Sequence, residues 1–190
     1  MSDRLIIRPA RIGDREAILA CQRAAISAIP VGYPYGSDVI AAWLTQPTRG
    51  LDALLAASRY FVAVDVTGRV LATGGWAPAS EHGESTALLR GIFSHPDTRG
   101  SGAGREIVAA VELAARRAGF TTMRVPSAYS AVAFYRRLGY RVADTGRVDA
   151  AGVTFDVLLM DRRIASPRRE TEIFCAASND NRPHYAGLRV

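Results

Sequence analysis

The spacing of apolar residues changes along the chain between the period of helices and the period of strands. Apolar positions three or four apart predict helices over 13–28, 37–44, 102–118 and 130–138. Runs of β-branched and aromatic residues predict strands over 5–8, 60–66, 70–76, 87–94, 121–125, 140–144 and 153–160. Antiparallel strands come first in this order, and one βαβ passage follows through 87–125. The pattern therefore predicts one α/β (α+β) domain over 1–164.

The periodicity stops near Ser166, and polar residues and proline dominate 178–183. Such a segment cannot bury enough apolar surface to offset the entropy lost on ordering, so 165–190 is predicted to be a disordered C-terminal tail. No apolar run reaches the length that spans a bilayer. Charged residues interrupt the first twenty positions, so we expect neither a signal peptide nor a membrane partner.

Arginine supplies every positive side-chain charge, because the 24 basic residues include no lysine. The formal net charge is +6, and six arginines against three acids lie from Arg162 onward. The arginines occur singly or in pairs, without the long basic run that favours nucleic acid, so we expect no nucleic-acid partner. A basic surface also suits a ligand that carries several phosphates.

The most informative segment is 93–105, where a predicted strand ends and a predicted helix begins. Three glycines and two arginines are concentrated in Arg99-Gly100-Ser101-Gly102-Ala103-Gly104-Arg105. The first turn of a helix offers unpaired amides and partial positive charge, so this loop suits a pyrophosphate. A tight turn with close helix packing is the alternative interpretation. The GxxxxGK[ST] pattern of a P-loop is missing, and the strand at 121–125 ends without the acid of a Rossmann fold.

This loop resembles the cofactor motif of the GNAT acetyltransferase superfamily, Arg/Gln-x-x-Gly-x-Gly/Ala, which Arg99–Gly104 matches in full. Downstream, Ser130–Tyr140 is similar to the family's A-x-x-F-Y-x-x-x-G-F/Y segment. The opening Ile7-Arg8-Pro9-Ala10 and the triplet Gly74-Gly75-Trp76 look like a bacterial branch that acts on small molecules. Two linked motifs in the expected order are more specific than either alone.

The resemblance implies the GNAT acyl-CoA acyltransferase fold, a mixed and mostly antiparallel sheet of about seven strands flanked by about four helices. It implies that the strands 87–94 and 121–125 splay apart, with Gly91 marking a bulge. Acetyl-CoA would enter this gap as co-substrate, its pantetheine pairing with the edge of a strand. The implied cofactor-binding residues are Ile92, Phe93, Ser94, Arg99, Gly100, Ser101, Gly102, Ala103, Gly104, Arg105, Ser130 and Phe134.

Acetyl transfer to an amine needs a neutral amine, a stabilised oxyanion and a proton for the departing thiolate. By resemblance, Tyr135 occupies the position of the family's general acid, and the backbone N–H of Phe93 that of the oxyanion donor. We predict Glu84 as the general base. Glu81, His95 and deprotonation through water remain open as alternatives.

The two cysteines, Cys21 and Cys175, are isolated from each other and from histidine clusters. We therefore expect no disulfide framework and no metal site, and a cytoplasmic location fits. Because Cys21 lies far from both motifs along the chain, we expect direct transfer without a covalent enzyme intermediate.

The acceptor is predicted to be the primary amine of a small molecule or a peptide N-terminus. We expect the first two helices and 29–36 to bind it, with Tyr33, Tyr35, Trp43 and Trp76 as candidate lining residues, although aromatic residues more often belong to a core. Members of the family often form homodimers, and the sequence leaves the oligomeric state open. The alternative function is a catalytically weak acyl-CoA-binding or sensing module.

Overall fold

The computed structural model of the chain describes residues 5–32, 34–45, 48, 50–79, 85–98 and 100–164. Within these residues, the strands are Ile6–Pro9 (β1), Tyr60–Val64 (β2), Val70–Pro78 (β3), Thr86–Ser94 (β4), Thr122–Ser127 (β5), Arg141–Ala150 (β6) and Val153–Arg163 (β7). The α-helices are Arg15–Ser27 (α1), Ser37–Thr45 (α2), Leu51–Ala56 (α3), Ala103–Arg117 (α4) and Val132–Arg137 (α5). The tail predicted over 165–190 lies outside the described residues.

The strands form a single mixed sheet in the order β1-β2-β3-β4-β5-β7-β6. Neighbouring strands pair antiparallel except β4 and β5, which are parallel. The chain passes through α4 between these two strands, and a helical crossover of this kind is what a parallel pair requires. The predicted fold, a mixed and mostly antiparallel sheet flanked by helices, is confirmed.

Helix α4 covers one face of the sheet. Its Ile107, Val108 and Val111 are buried in one cluster with Leu89 of β4 and Met123 of β5. Full burial of an aliphatic side chain contributes about 1.5–3 kcal/mol, so this cluster anchors α4 firmly. The N-terminus of α4 is thereby fixed beside the end of β4.

The other face of the sheet carries α1, α2 and α3. Val62 of β2 is buried with Ile18 of α1 and Leu54 of α3, whereas the adjacent Ala63 belongs to the cluster under α4. This alternation follows from the two-residue period of a strand. A third cluster joins α2 to β6 and β7, with Ile40 buried against Phe155. The sheet therefore lies between two layers of helices.

Two elements differ from the sequence prediction. The pattern did not predict α3, because six residues are too few to show a helical period. Strand β6 reaches Ala150 instead of ending at 144, since pairing with β7 continues through residues that disfavour strands in isolation. Ala151 and Gly152 close this hairpin with φ values of 50° and 84°, as a two-residue turn of type I′ requires.

Candidate active site

Strands β4 and β5 separate shortly after they begin. Three residue pairs join them, and the last is Leu88 with Arg124. Beyond this pair, β4 continues to Ser94 beside β3, and β5 continues to Ser127 beside β7. A cavity of about 240 Å³ opens between the diverging strands and is lined by residues of both. The splayed strands that the resemblance implied are confirmed.

A β-bulge at Gly91 accompanies the separation. Gly91 and Ile92 of β4 together lie opposite the single residue Gly74 of β3. Gly91 has a φ of 59°, a backbone conformation that strains residues with a Cβ. A Cβ at this position would also collide with the hydroxyl groups of Tyr60 and Thr48. The predicted bulge is confirmed, and it bends β4 away from β5.

The glycine loop leads into α4 at the predicted place. Gly102 is the N-cap residue, and Gly100 and Gly102 have φ values of 82° and 86°. The amide of Glu106 donates to the carbonyl of Gly102 at 3.1 Å, so the amides of 103–105 precede the helical hydrogen-bond ladder. Apart from the glycines themselves and their neighbours in the chain, no described atom lies within 4 Å of a Cβ built at Gly100 or Gly102. An anion as large as a pyrophosphate therefore fits against this helix start.

The third glycine of the motif has a different role. A Cβ on Gly104 would lie 2.9 Å from the hydroxyl oxygen of Ser94 and 3.5 Å from the ring of Phe134. Close packing, the alternative interpretation of the glycines, therefore applies to Gly104, whereas Gly100 and Gly102 face open space. The contact joins the end of β4, the start of α4 and α5. Their neighbours Phe93 and Tyr135 line the cavity, whereas Ser94, Gly104 and Phe134 are not among its described lining residues.

Charge around the loop comes from arginine. Arg105 is exposed and forms an ion pair with Glu106 at 3.1 Å. Because exposed pairs are weak, the guanidinium is available to a phosphate ligand. Arg99, the first residue of the predicted motif, lies outside the described residues. Ser101 is exposed, and its hydroxyl oxygen accepts a hydrogen bond from the Ala103 amide at 3.3 Å.

Tyr135 lines the cavity from α5, as does Ser130 from the preceding turn. The tyrosine is 4% exposed, and its ring packs edge-on against Phe134 and Tyr140 at centroid distances of 5.1 and 5.5 Å. Burial raises the pKa of the Tyr135 phenol above its usual value. The group therefore holds its proton at neutral pH, as a proton donor must.

The aromatic residues predicted for the acceptor pocket divide into two groups. Trp43 lines the cavity, and Tyr35, which is 2% exposed, packs behind it at a centroid distance of 6.3 Å. The prediction for Trp76 is wrong, because its ring is buried in the cluster under α4, 5.3 Å from Phe120. The register of β3 turns Trp76 to the opposite face of the sheet. Tyr33 lies outside the described residues.

Asp149 of β6 places a carboxylate at the cavity. This residue was not predicted from the sequence. Its side chain is exposed and accepts a hydrogen bond from the Gly152 amide at 3.3 Å. The available signal in the sequence was the alternation of apolar and polar residues over Val148, Asp149 and Ala150, because this pattern extends strand β6 to the cavity. The predicted base Glu84 and its alternative Glu81 lie outside the described residues.

His95, another candidate base, contacts Arg69 at 3.1 Å and Asp97 at 3.3 Å. It is not among the described residues that line the cavity. Cys21 is 2% exposed, and burial raises the pKa of its thiol to about 11. A thiol in this state is a poor nucleophile at neutral pH, which agrees with direct transfer.

Two further features concern the described residues as a whole. They contain no cluster of three or more histidine, cysteine or acidic side chains that could hold a metal ion. Their helices are too short or too polar for any of them to cross a membrane.

Comparison with known proteins relates this fold to one class of enzyme. Residues 56–142 match the family model for the acetyltransferase (GNAT) domain. Together with the fold, this match supports the GNAT superfamily of acetyltransferases as the class of this chain. A search of curated protein sequences finds no match.

Solved structures of the same superfamily share the architecture. A GCN5-related N-acetyltransferase from Rhodopseudomonas palustris is 19% identical, with a TM-score of 0.69 over 84% of this chain and 95% of that chain. The PaiA N-acetyltransferase of Thermoplasma acidophilum, solved with coenzyme A, is 16% identical, with a TM-score of 0.62 over 85% and 99%. The ribosomal-protein-S18-alanine N-acetyltransferase of Escherichia coli is 18% identical, with a TM-score of 0.57 over 88% and 98%. At these identities the likeness shows the fold alone.

Proposed function

We propose that this chain is a cytoplasmic enzyme that transfers an acetyl group from acetyl-CoA directly to the primary amine of a small molecule or a peptide N-terminus. The observation that carries the proposal is the cleft between β4 and β5. A buried tyrosine, Tyr135, lies on its wall. The open N-terminus of α4 lies beside Ser94, the residue that follows the lining residue Phe93. The neighbour solved with coenzyme A has the same fold, which supports a CoA ligand for this cleft.

The residues present fit a CoA ligand. The amides of 103–105 and the guanidinium of Arg105 would hold the pyrophosphate at the start of α4. The edge of β4 over Ile92–Ser94 is free of β5 and would pair with the pantetheine amides. Acetyl-CoA, when bound there, supplies the acetyl group as an activated thioester.

Acetyl transfer then forms one bond, breaks another, and moves one proton at the amine and one at the thiolate. The acceptor nitrogen forms a bond to the carbonyl carbon as the carbon–sulfur bond breaks, so the amine loses one proton and the departing thiolate gains one. Tyr135 donates its phenolic proton to the sulfur and recovers one from solvent. The backbone N–H of Phe93 is proposed to stabilise the negative charge that develops on the carbonyl oxygen.

The amine must reach the cleft and lose its proton. Asp149 is the carboxylate among the described residues that line the cavity. Its negative charge attracts a cationic amine. Glu84 remains our predicted base. Because neutral amine is a minor species at neutral pH, a base or a water chain is needed on the acceptor side.

Thiol release from acetyl-CoA tests the proposal. We expect the purified chain to bind acetyl-CoA and to release CoA thiol in the presence of at least one amine from a panel of amino acids, arylalkylamines, polyamines, aminoglycosides and peptides. Mass spectrometry should show one added acetyl group on the amine. Binding without turnover would favour the sensing module instead, and failure to bind acetyl-CoA would contradict both functions.

A further inference from the structure

The acceptor side of the cavity has a wall of aromatic rings. Trp43 of α2, Phe93 of β4 and Phe155 of β7 line it. The Trp43 ring lies 5.3 Å from Phe155 and 6.0 Å from Phe93, centroid to centroid. The Tyr35 ring packs behind this wall, with its centroid 5.4 Å from that of Phe155. Its hydroxyl group donates a hydrogen bond to the backbone carbonyl of Asp156 at 3.1 Å. A wall supported in this way presents fixed aromatic surfaces to a ligand.

Charge is sparse along the same cavity. Among the described lining residues, Arg90 and Asp149 carry a charge, and the two charges are opposite in sign. A polyamine or an aminoglycoside carries several ammonium groups, and each is costly to bring into apolar surroundings without a carboxylate. Among the described lining residues, Asp149 is the carboxylate that can pair with an ammonium group of the acceptor.

We propose that the acceptor is a primary monoamine with a flat apolar body, of the arylalkylamine class. This inference rests on the proposed acetyl transfer and adds the chemical class of the acceptor. The aromatic wall favours offset or edge-on contacts with a ring.

Competing amines provide the kinetic test. We expect kcat/KM for 2-phenylethylamine to exceed that for ethylamine and for spermidine by about tenfold or more, as apolar pocket contacts typically discriminate. Ethylamine lacks the ring, and spermidine adds charges that the described lining does not match. A preference for spermidine would overturn this inference while leaving acetyl transfer intact. Absence of any acetyl-CoA binding would instead defeat the proposed function itself.

Trp43 supplies a second readout that does not depend on turnover. The chain has two tryptophans, so Trp76→Phe leaves Trp43 as the only indole. We expect 2-phenylethylamine to change the Trp43 emission of this variant saturably, and spermidine to leave it unchanged. In the otherwise native chain, Trp43→Leu should lower kcat/KM for 2-phenylethylamine about tenfold or more without changing the Kd of acetyl-CoA. Unaltered emission, or wild-type kcat/KM in Trp43→Leu, would contradict the inference.

A different feature, a cluster of buried polar side chains behind the bulge, carries a second inference. Tyr60 and Thr73 donate hydroxyl hydrogen bonds to the carbonyl of Gly91 at 2.8 and 2.9 Å. Gln22 of α1 donates its amide to the Tyr60 hydroxyl at 2.7 Å. All three side chains are 0% exposed. Elements α1, β2 and β3 thus converge on one backbone carbonyl of β4.

The bulge explains why polar side chains occupy this core. Burying a hydroxyl or an amide is costly unless it is hydrogen-bonded, and apolar residues such as Ile18 and Val62 fill neighbouring positions. A bulge removes a residue from regular strand pairing, so the Gly91 carbonyl needs donors from elsewhere. Because the peptide group is planar, fixing this carbonyl also fixes the amide of Ile92.

We infer that Gln22, Tyr60 and Thr73 are positioning residues for acetyl transfer. They hold the Gly91–Ile92 peptide, and so set the direction in which β4 leaves the bulge and presents Phe93 and Ser94 to the cleft. They act through the backbone of β4 and do not contact the substrates. The inference rests on the proposed function for its kinetic readout, and on the structure alone for its spectroscopic readout.

Paired variants separate positioning from stability. We expect Tyr60→Phe and the near-isosteric Thr73→Val to lower kcat about tenfold, since small displacements of reacting groups are costly, and to shift the backbone ¹⁵N–¹H resonances of Ile92 and Phe93. Thr73→Ser keeps the hydroxyl and should restore both readouts. Ile18→Val removes a methyl group from the same face of α1 and should lower the thermal midpoint while keeping kcat. Unshifted Ile92 and Phe93 resonances in Thr73→Val, or the same kcat in Thr73→Val and Thr73→Ser, would overturn the inference.

Discussion

Tyr135→Phe is expected to lower kcat for acetyl transfer about 100-fold or more, because a positioned general acid contributes about 10² to 10⁴ in rate. The substitution removes one oxygen and keeps the ring packed against Phe134 and Tyr140. The Kd of acetyl-CoA should therefore stay unchanged. Thiol release gives kcat, and calorimetric titration gives the Kd.

Tyr129→Phe is the matched control. Tyr129 lies six residues earlier, in the turn before α5, and is 37% exposed. Removing its hydroxyl should leave kcat at the wild-type value. Wild-type turnover in Tyr135→Phe, or an equal loss in both variants, would remove Tyr135 from the role of proton donor.

The pH dependence of kcat follows from the same burial. A proton donor is active while it is protonated, and the raised pKa of Tyr135 keeps the phenol protonated above the ordinary value. Activity that depends on this proton is thus present at neutral pH and is lost as the pH rises through the raised pKa. We expect no falling limb from Tyr135 below about pH 10, the unperturbed tyrosine pKa. A falling limb near neutrality that disappears in Tyr135→Phe would contradict this assignment.

Ser101→Asp is expected to weaken CoA binding about tenfold or more, equivalent to about 1.4 kcal/mol. Ser101 precedes the N-cap of α4, and its oxygen accepts from the Ala103 amide, a role that a carboxylate also fills. A negative charge at a helix N-terminus stabilises the helix by about 0.3–1 kcal/mol, so the thermal midpoint should hold or rise. The same charge would repel a pyrophosphate.

Ser101→Asn separates charge from shape, since asparagine has nearly the size of aspartate and is neutral. We expect its CoA affinity to stay close to that of the wild type, and the loss in Ser101→Asp to shrink as salt screens the repulsion. Equal affinity in the aspartate and asparagine variants would show that no phosphate lies near this helix start.

The sequence predicted those parts of the site that are local in the chain. The loop from Gly100 to Arg105 depends on residues within one turn, whereas Tyr135 was predicted from the family resemblance of Ser130–Tyr140. A positive φ favours glycine, and the apolar face of α4 sets the direction of the helix, so the loop and the helix both leave a readable pattern. The bulge at Gly91 was likewise predicted from the resemblance, and its positive φ explains why glycine occupies this position.

The remaining parts of the site depend on register between distant strands. Phe155 and Asp149 reach the cavity because β6 pairs with β7 up to the turn at Ala151 and Gly152. The alternation over 148–150 indicates a strand, but it does not show where pairing places that strand. Trp76 faces the cluster under α4 because side chains alternate between the two faces of the sheet along β3, and the sequence alone does not show which face α4 covers. Tertiary pairing decides these positions, and propensity does not.

A crystal structure of the chain with CoA would test the central claim most directly, namely that the cleft opened at Gly91 holds the ligand with its phosphates at the start of α4. We predict pyrophosphate oxygens within hydrogen-bonding distance of the amides of 103–105, and the pantetheine arm beside Ile92–Ser94. Phosphates bound elsewhere on the chain, with the gap between β4 and β5 empty, would contradict it.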